Sequence, residues 1–325
     1  MRAFARIASC IAAMLVLDAC RERGAQGERW PTQPIHFIAP FAPGGPVDTI
    51  ARKVGQKLSE ELGQPVVVEN RPGAGGNIGT AAAAKSAPDG YTVLVTSTAF
   101  AVNATLSAKP GYDAERDFVP IAIVATQPNA IIVNASLPAQ DLAQLLALAK
   151  ATSPGFATPG SGTTPHLTGE HLFRSMAKLD MTPIHFKGAG PAVIAVLSGQ
   201  PPIGSAAIST ALQHIRSGKL RALAVSSARR AKTLPDVPTL AEVGFPGVED
   251  YTWVGLFLPA GTPPEIVQRL NAAVNRVLSS PQVRAQLEEE AFEPVGGSSR
   301  SSADYVKAEV EKWGKLVREV GIQAE

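Results

Sequence analysis

Residues 35–63 read IHFIAPFAPGGPVDTIARKVGQKLSEELG, and this stretch decides the fold. The short apolar run 35–41 is broken by Ala42, Pro43, Gly44, Gly45 and Pro46. A helix follows, with Ile50, Val54, Leu58 and Leu62 at i+4 spacing and Gly63 as its stop. Pro46 falls in the first helical turn, where its missing N–H costs nothing. PVVVE at 65–69 supplies a second, buried strand. The glycine-rich loop 71–79 leads into an Ala-rich helix, and YTVLVTS at 91–97 is a third strand. Strand–loop–helix units in series predict a mainly parallel sheet with helices on both faces.

The pattern then restarts. Strand 130–134 and helix 139–151 precede the extended piece 155–158, the loop Pro159-Gly160-Ser161-Gly162-Thr163-Thr164, and a helix over 165–179. The unit repeats at 183–197, with a further strand at 221–226 and helices at 264–279, 281–291 and 301–320. The last of these pairs Glu311 with Lys315 on a solvated face. Two α/β lobes are expected, with the chain changing lobe near 119–127 and returning near 251–258. Neither crossing resembles a Gly/Ser tether, so a two-strand hinge is expected. Lobe 1 is assigned 28–124 plus 253–325 and lobe 2 125–252. Ligands of open α/β sheets sit beyond the carboxyl ends of strands. The loops 43–45 and 160–164 occupy that position, one per lobe, so a ligand held by both would be trapped by closure.

Composition narrows the function. The 325 residues carry 30 Lys+Arg against 28 Asp+Glu and are 6% aromatic, a poor basis for binding a phosphate backbone. At 45% hydrophobic the chain is too apolar for disorder. Both cysteines, Cys10 and Cys20, fall in the first twenty residues, so the remainder has no thiol for a disulfide framework or a Cys-based zinc site. Those early residues read as an export signal: Arg2 and Arg6, then an uncharged run at 8–17 that is too short to span a bilayer. Two exits are open. Leu17-Asp18-Ala19-Cys20 is similar to a lipobox, with cleavage before Cys20 and lipidation of it; Ala25-Gln26-Gly27 offers a small-x-small cut. Removing 1–27 takes four basic and two acidic residues with it and leaves 26 of each. A charged ligand must then be held by local geometry, because no global field remains.

Motifs of catalysis and cofactor binding are misspelled. Gly73-Ala74-Gly75-Gly76-Asn77-Ile78-Gly79 has isoleucine where a dinucleotide fingerprint needs its last glycine, so a tight strand-to-helix turn is the favoured reading. His166 and His171 are spaced i, i+5, about 140° apart on a helix, whereas zinc helices need i, i+4. His166 is placed to reach the cleft or to cap the turn. Gly160-Ser161-Gly162 is not a nucleophile elbow. Asp48 suits the helix dipole as well as it suits a ligand. No metal, no cofactor and no catalytic residue is expected. What the two loops do offer is free N–H groups at helix N-termini, flanked by glycines and by hydroxyls of Thr98, Thr163 and Thr164, and a carboxylate is the natural guest.

PFAPGGPVDTIAR at 40–52, VENRPGAGGNIG at 68–79, PDGYT at 88–92, GSGTTPHL at 160–167, FKGAGPA at 186–192, LPDVPTLAE at 234–242, Trp253 and PAGTP at 259–263 follow one another through the chain. Together they resemble the Bug family, the solute-binding receptors of tripartite tricarboxylate transporters. The resemblance implies a two-lobe Venus-flytrap receptor of the bacterial periplasm, monomeric, that captures a small carboxylic acid and delivers it to the membrane subunits of such a transporter. It implies no reaction and no nucleic-acid partner. Carried over residue by residue, it assigns ligand contacts to Ala42, Pro43, Gly44 and Gly45 in lobe 1, to Thr98, and to Ser161, Gly162, Thr163, His166, Gly188, Ala189 and Gly190. Asp48 and Trp253 match family positions of a structural kind. One stretch departs: Ala195 replaces the usual helix acid, and SGQPPIGS at 198–205 replaces Gly-Gly-Gln-Val-Asp. Without that acid a plain carboxylate is favoured over an amino acid. The competing functions are a periplasmic sensor presenting its ligand to a membrane signalling protein, a regulator's ligand-sensing domain, and an enzyme.

Overall fold

The computed structural model describes residues 30–320; residues 1–27, expected to be an export signal, and Cys20 with its expected lipidation lie outside the described residues. Strand β1 (Ile35–Ala39) leads into α1 (Pro46–Leu62), which buries Ile50, Val54 and Leu58 completely. Gly63 closes this helix in the left-handed conformation, its N–H on Ser59 O. Strand β2 (Val66–Asn70) pairs in parallel with one side of β1, and β3 (Thr92–Ser97) pairs in parallel with the other. Helix α2 (Asn77–Ala84) lies between them in sequence and α3 (Ala99–Leu106) follows.

The next strand, β4 (Phe118–Asn134), is 17 residues long and belongs to both lobes. The second lobe then contains α4 (Leu142–Thr152), β5 (Phe156–Thr158), α5 (Thr164–Glu170), β6 (Pro183–His185), α6 (Ala189–Leu197), β7 (Ile203–Ala207), α7 (Ile208–Arg216) and β8 (Leu220–Val225). The chain returns along β9 (Tyr251–Pro259) to α8 (Pro264–Ser279), α9 (Pro281–Glu289), the short β10 (Glu293–Pro294) and α10 (Ser299–Val320). Lobe 1 has the order β2-β1-β3-β9-β4-β10; lobe 2 has β8-β4-β7-β5-β6. In lobe 2, β8, β7, β5 and β6 run one way and β4 opposes them.

Helices cover both faces of each sheet. On β3 the alternation is direct: Val93 and Val95 pack with α1 and α8 residues, while Leu94 packs with Phe100, Trp253 and Trp313 on the opposite face. Two further clusters, around Phe156 and Phe173 and around Ile132 and Val196, do the same in lobe 2.

Strand β4 exchanges partners midway. Through Pro128 it pairs with β9, and from Asn129 onward it pairs with β7 and β8. The two crossing strands therefore form an antiparallel ribbon, with Gln127 opposite Thr252 and Pro128 opposite Tyr251. Side chains alternate across it: Thr252 lines a cavity on one side, while Pro128 and Tyr251 line a crevice on the other. The sequence reading separates 119–127 from the strand 130–134; the structure joins them. It also shortens the expected helix 165–179, because α5 gives way to a π-helical turn at His171–Met176.

The C-terminal helix is pinned to the ribbon by one carboxylate. Trp253 Nε1–H and Trp313 Nε1–H both donate to Glu309 Oε2, at 3.0 and 2.8 Å, and both rings are buried. Replacing Glu309 by Leu leaves two buried indole N–H groups unpaired. The expected loss is about 2–4 kcal/mol of unfolding free energy by urea titration; a change below about 0.5 kcal/mol would show that the carboxylate does not pin the helix.

Candidate functional site

The loop after β1 is shaped by Asp48. Its carboxylate accepts from Gly44 N–H at 3.1 Å, Arg52 Nε–H at 3.0 Å and Asn70 Nδ2–H at 3.0 Å, and the same Asn70 amide donates to Phe41 O. Burial pushes the Asp48 carboxyl up, but those hydrogen bonds and the Arg52 charge outweigh it and hold it below its ordinary value. Asp48 thus braces the loop that carries Ala42, Pro43, Gly44 and Gly45.

The opposing loop in lobe 2 is shaped by His166. Its Nδ1 accepts from Gly162 N–H at 3.2 Å, and Thr163 Oγ1 donates to Gly160 O at 2.7 Å. The His166 ring stands edge-on to His185 at 4.6 Å. Burial, with the His185 and Arg174 charges nearby, lowers His166 to about 3, so it stays a neutral acceptor at physiological pH. Of the two roles left open for His166, the structure shows the capping one. Thr98 is likewise built into the framework: it is fully buried, and its Oγ1 accepts from Trp253 N–H at 2.9 Å.

The lobes touch, and they touch through backbone. Ala42 N–H donates to Lys187 O at 2.8 Å. A Cβ at Gly190 would lie 2.5 Å from Pro43 O, and one at Gly45 would lie 3.3 Å from the Ala189 Cβ. Gly75, at φ +61°, sits so close to Ser161 O that a side chain there would overlap it. The loop 73–76, read from sequence as a tight turn, is therefore also one wall of the interface between lobes.

Two cavities lie along this interface and share Phe41 and Pro159. The outer one, about 250 Å³, is lined by Gly73–Gly76, Gly160, Ser161, His185, Phe186 and Lys187. The inner one, about 30 Å³, is lined by Gly45, Pro46, Val47, Ser97, Thr163, Thr164, Pro165, Ala189, Ala207 and Thr252. No acidic side chain lines either cavity; the cationic candidates are Lys187 and His185, both at the outer one. Among the described residues, no hydrogen-bond acceptor is found for the N–H of Gly45 or Ser161. Of the expected contacts, Gly45, Ser161, Thr163 and Ala189 line a cavity. Ala42, Pro43, Gly44, Gly188 and Gly190 form the lobe-to-lobe contact, and Gly162 joins it against the Asn103 side chain, while Thr98 and His166 stand behind it. Sequence reasoning missed Phe41, Pro159, Ser97, Ala207, His185 and Thr252 as lining residues. Among the described residues, no group of three or more His, Cys, Asp or Glu could hold a metal ion.

The model of the tripartite tricarboxylate transporter family receptor matches residues 50–322. The solved periplasmic binding protein BugD is 32% identical, covers 91% of this chain and 100% of its own, and superposes with a TM-score of 0.87. The Rhodopseudomonas palustris protein Rpa4515, solved with adipate, is 33% identical over 90% of this chain and 99% of its own, with a TM-score of 0.87. MatC of the same organism, solved with malate, is 32% identical over 89% of this chain and 100% of its own, with a TM-score of 0.85. With two α/β lobes meeting through glycine loops, and the family model matched along nearly all of both, this chain belongs to the tripartite tricarboxylate transporter receptor family.

Proposed function

We propose that this protein is a periplasmic receptor that captures a small carboxylate between its lobes and hands it to the membrane subunits of a tripartite transporter, acting as a monomer and carrying out no reaction. The observation that carries the reading is the character of the interlobe cavities. They are walled by backbone, hydroxyls, Lys187, His185 and apolar side chains such as Phe41, Phe186 and Val47, with no acidic side chain. A carboxylate gains from N–H donors and a nearby cation, while an ammonium group would be desolvated with no counter-ion. Ala195, where the family usually has an acid, is buried and apolar, in line with that preference. Adipate and malate in two relatives are ligands of the same chemical class.

In this reading Gly45, Ser161, Thr163 and Ala189 touch the ligand, and Ala42, Pro43, Gly44, Gly188 and Gly190 close over it. Thr98, Gly162 and His166 hold those loops in place. Lobe 1 is 28–124 with 253–325 and lobe 2 is 125–252, turning about the ribbon where β4 changes partners. The absence of a membrane-crossing helix among the described residues is compatible with release into the periplasm or with a lipid tether at Cys20.

A thermal-shift panel of dicarboxylates, tricarboxylates, monocarboxylates and amino acids tests the ligand class. Carboxylates without an ammonium group are expected to raise the melting temperature; a shift with amino acids alone would overturn the reading. Closure is tested by Gly190→Ala. Gly190 lies in the first turn of α6, where alanine is no worse a helix former, so with the lobes apart the unliganded protein should melt no lower than wild type. The new Cβ meets Pro43 O across the interface, so affinity for whichever acid binds wild type should fall at least about tenfold. Unchanged affinity would mean that the closed arrangement is not the binding one.

A further inference from the structure

The floor of the inner cavity is made by two hydroxyls whose protons are already committed. Thr164 and Thr252 both line it, one from α5 and one from the crossing strand β9, and their Oγ1 atoms are 2.5 Å apart. Behind them the contacts continue inward. Thr252 Oγ1–H donates to Asn129 Oδ1 at 2.8 Å, and Asn129 Nδ2–H donates to Asp250 Oδ1 at 2.6 Å. Asp250 Oδ2 is 2.7 Å from Thr168 Oγ1, which in turn is 2.8 Å from Thr164 O. All five residues are buried.

A hydroxyl has one proton to give. With the Thr252 proton on Asn129, the short contact between the two threonines is satisfied only if Thr164 donates to Thr252. Thr164 is then left with lone pairs alone, and Thr252 with one. The direction of the chain rests on the orientation of the Asn129 amide, which Asp250 fixes from behind. Burial pushes the Asp250 carboxyl up. If it is charged, Oδ1 accepts from Asn129 and Oδ2 from Thr168. If it is neutral with the proton on Oδ2, that proton goes to Thr168 Oγ1, and the Thr168 proton goes to Thr164 O. The observed amide orientation satisfies every donor in both cases. The reverse orientation works only with the proton on Oδ1.

We infer that Thr164 and Thr252 form an acceptor-only floor that determines specificity, and that the ligand of this receptor is a hydroxycarboxylate whose hydroxyl donates to that floor. The inference rests on the carboxylate-receptor reading and narrows it. The carboxylate end is taken by the Ser161 N–H and Lys187 at the outer cavity and by the Gly45 N–H at the wall of the inner one. A carboxylate oxygen against the floor would face lone pairs, whereas a hydroxyl supplies the missing proton. The inner cavity, about 30 Å³, has room for a hydroxyl-sized group. Of the other hydroxyls on its wall, Thr163 also gives its proton away, to Gly160 O, and Ser97 has no such fixed direction.

The test is isothermal titration of the full-length protein with matched acids differing by one hydroxyl: L-malate and succinate, citrate and tricarballylate, lactate and propionate, 3-hydroxybutyrate and butyrate. In at least one pair the hydroxylated member is expected to bind about tenfold tighter or more. Thr252→Val removes the acceptor that holds the Thr164 proton and lets Thr164 donate into the cavity, so the ratio should fall below about threefold. Thr252→Ser keeps the hydroxyl and should restore it, an outcome that loss of packing would not produce. If both members of every binding pair bind wild type equally, a water occupies the floor and the inference is overturned, with the carboxylate receptor left standing. If no acid in the panel binds, the function proposed above fails and this inference fails with it.

Discussion

Everything in this molecule hangs on the antiparallel ribbon formed by β4 and β9. Here one strand serves two sheets, and it does so by exchanging partners between Pro128 and Asn129. Because side chains alternate, one face of the ribbon becomes the floor of the interlobe cavity and the other belongs to the rear crevice. Burying polar floor residues at that point carries a cost, which is met by a closed hydrogen-bond network: Asn129, Asp250, Thr252, Thr168 and Ser226 all find partners. The same ribbon is tied to the C-terminal helix through Trp253 and Glu309, so floor and scaffold form one unit.

The second constraint is that the lobes approach closely enough for backbone to meet backbone, as where Ala42 N–H donates to Lys187 O. Beside that hydrogen bond, other close approaches have a glycine on one side: Gly190 against Pro43, Gly75 against Ser161, Gly45 against Ala189. Small residues bring amides near enough to act as anion ligands, which is the recourse open to a segment whose formal charges cancel. Selectivity then falls to the few side chains that do reach the cavities.

Much of this was legible in sequence, and the exceptions have physical reasons. The i+4 spacing of Ile50, Val54 and Leu58 and the runs 65–69 and 91–97 gave the parallel half of lobe 1, and the glycine loops showed where a ligand could be held. Strand β4 was split because Pro120, Gln127 and Pro128 are poor signals for an interior strand; here they occupy the change of partners. Strand β7 escaped notice because IGSAA has little β-branched character. The π-helical turn at His171–Met176 leaves no trace in hydrophobic spacing. Thr252 could not have been recognised as part of the site, because its partner Thr164 is 88 positions away and only the fold unites them. His166 and Thr98 are marked by their loops, but which way their side chains turn, His166 to Gly162 N–H and Thr98 to Trp253 N–H, is visible only in the fold, since sequence shows proximity along the chain alone.

The central claim is that the interlobe cavities hold a small carboxylate. Native mass spectrometry of the protein purified without denaturation tests it most directly, with the released ligand identified by fragmentation. The account expects a bound fraction carrying the added mass of a small organic acid that loses carbon dioxide on fragmentation. A retained ligand that is an amine or a nucleotide, or an acid whose occupancy is unaffected by Gly190→Ala, would contradict it.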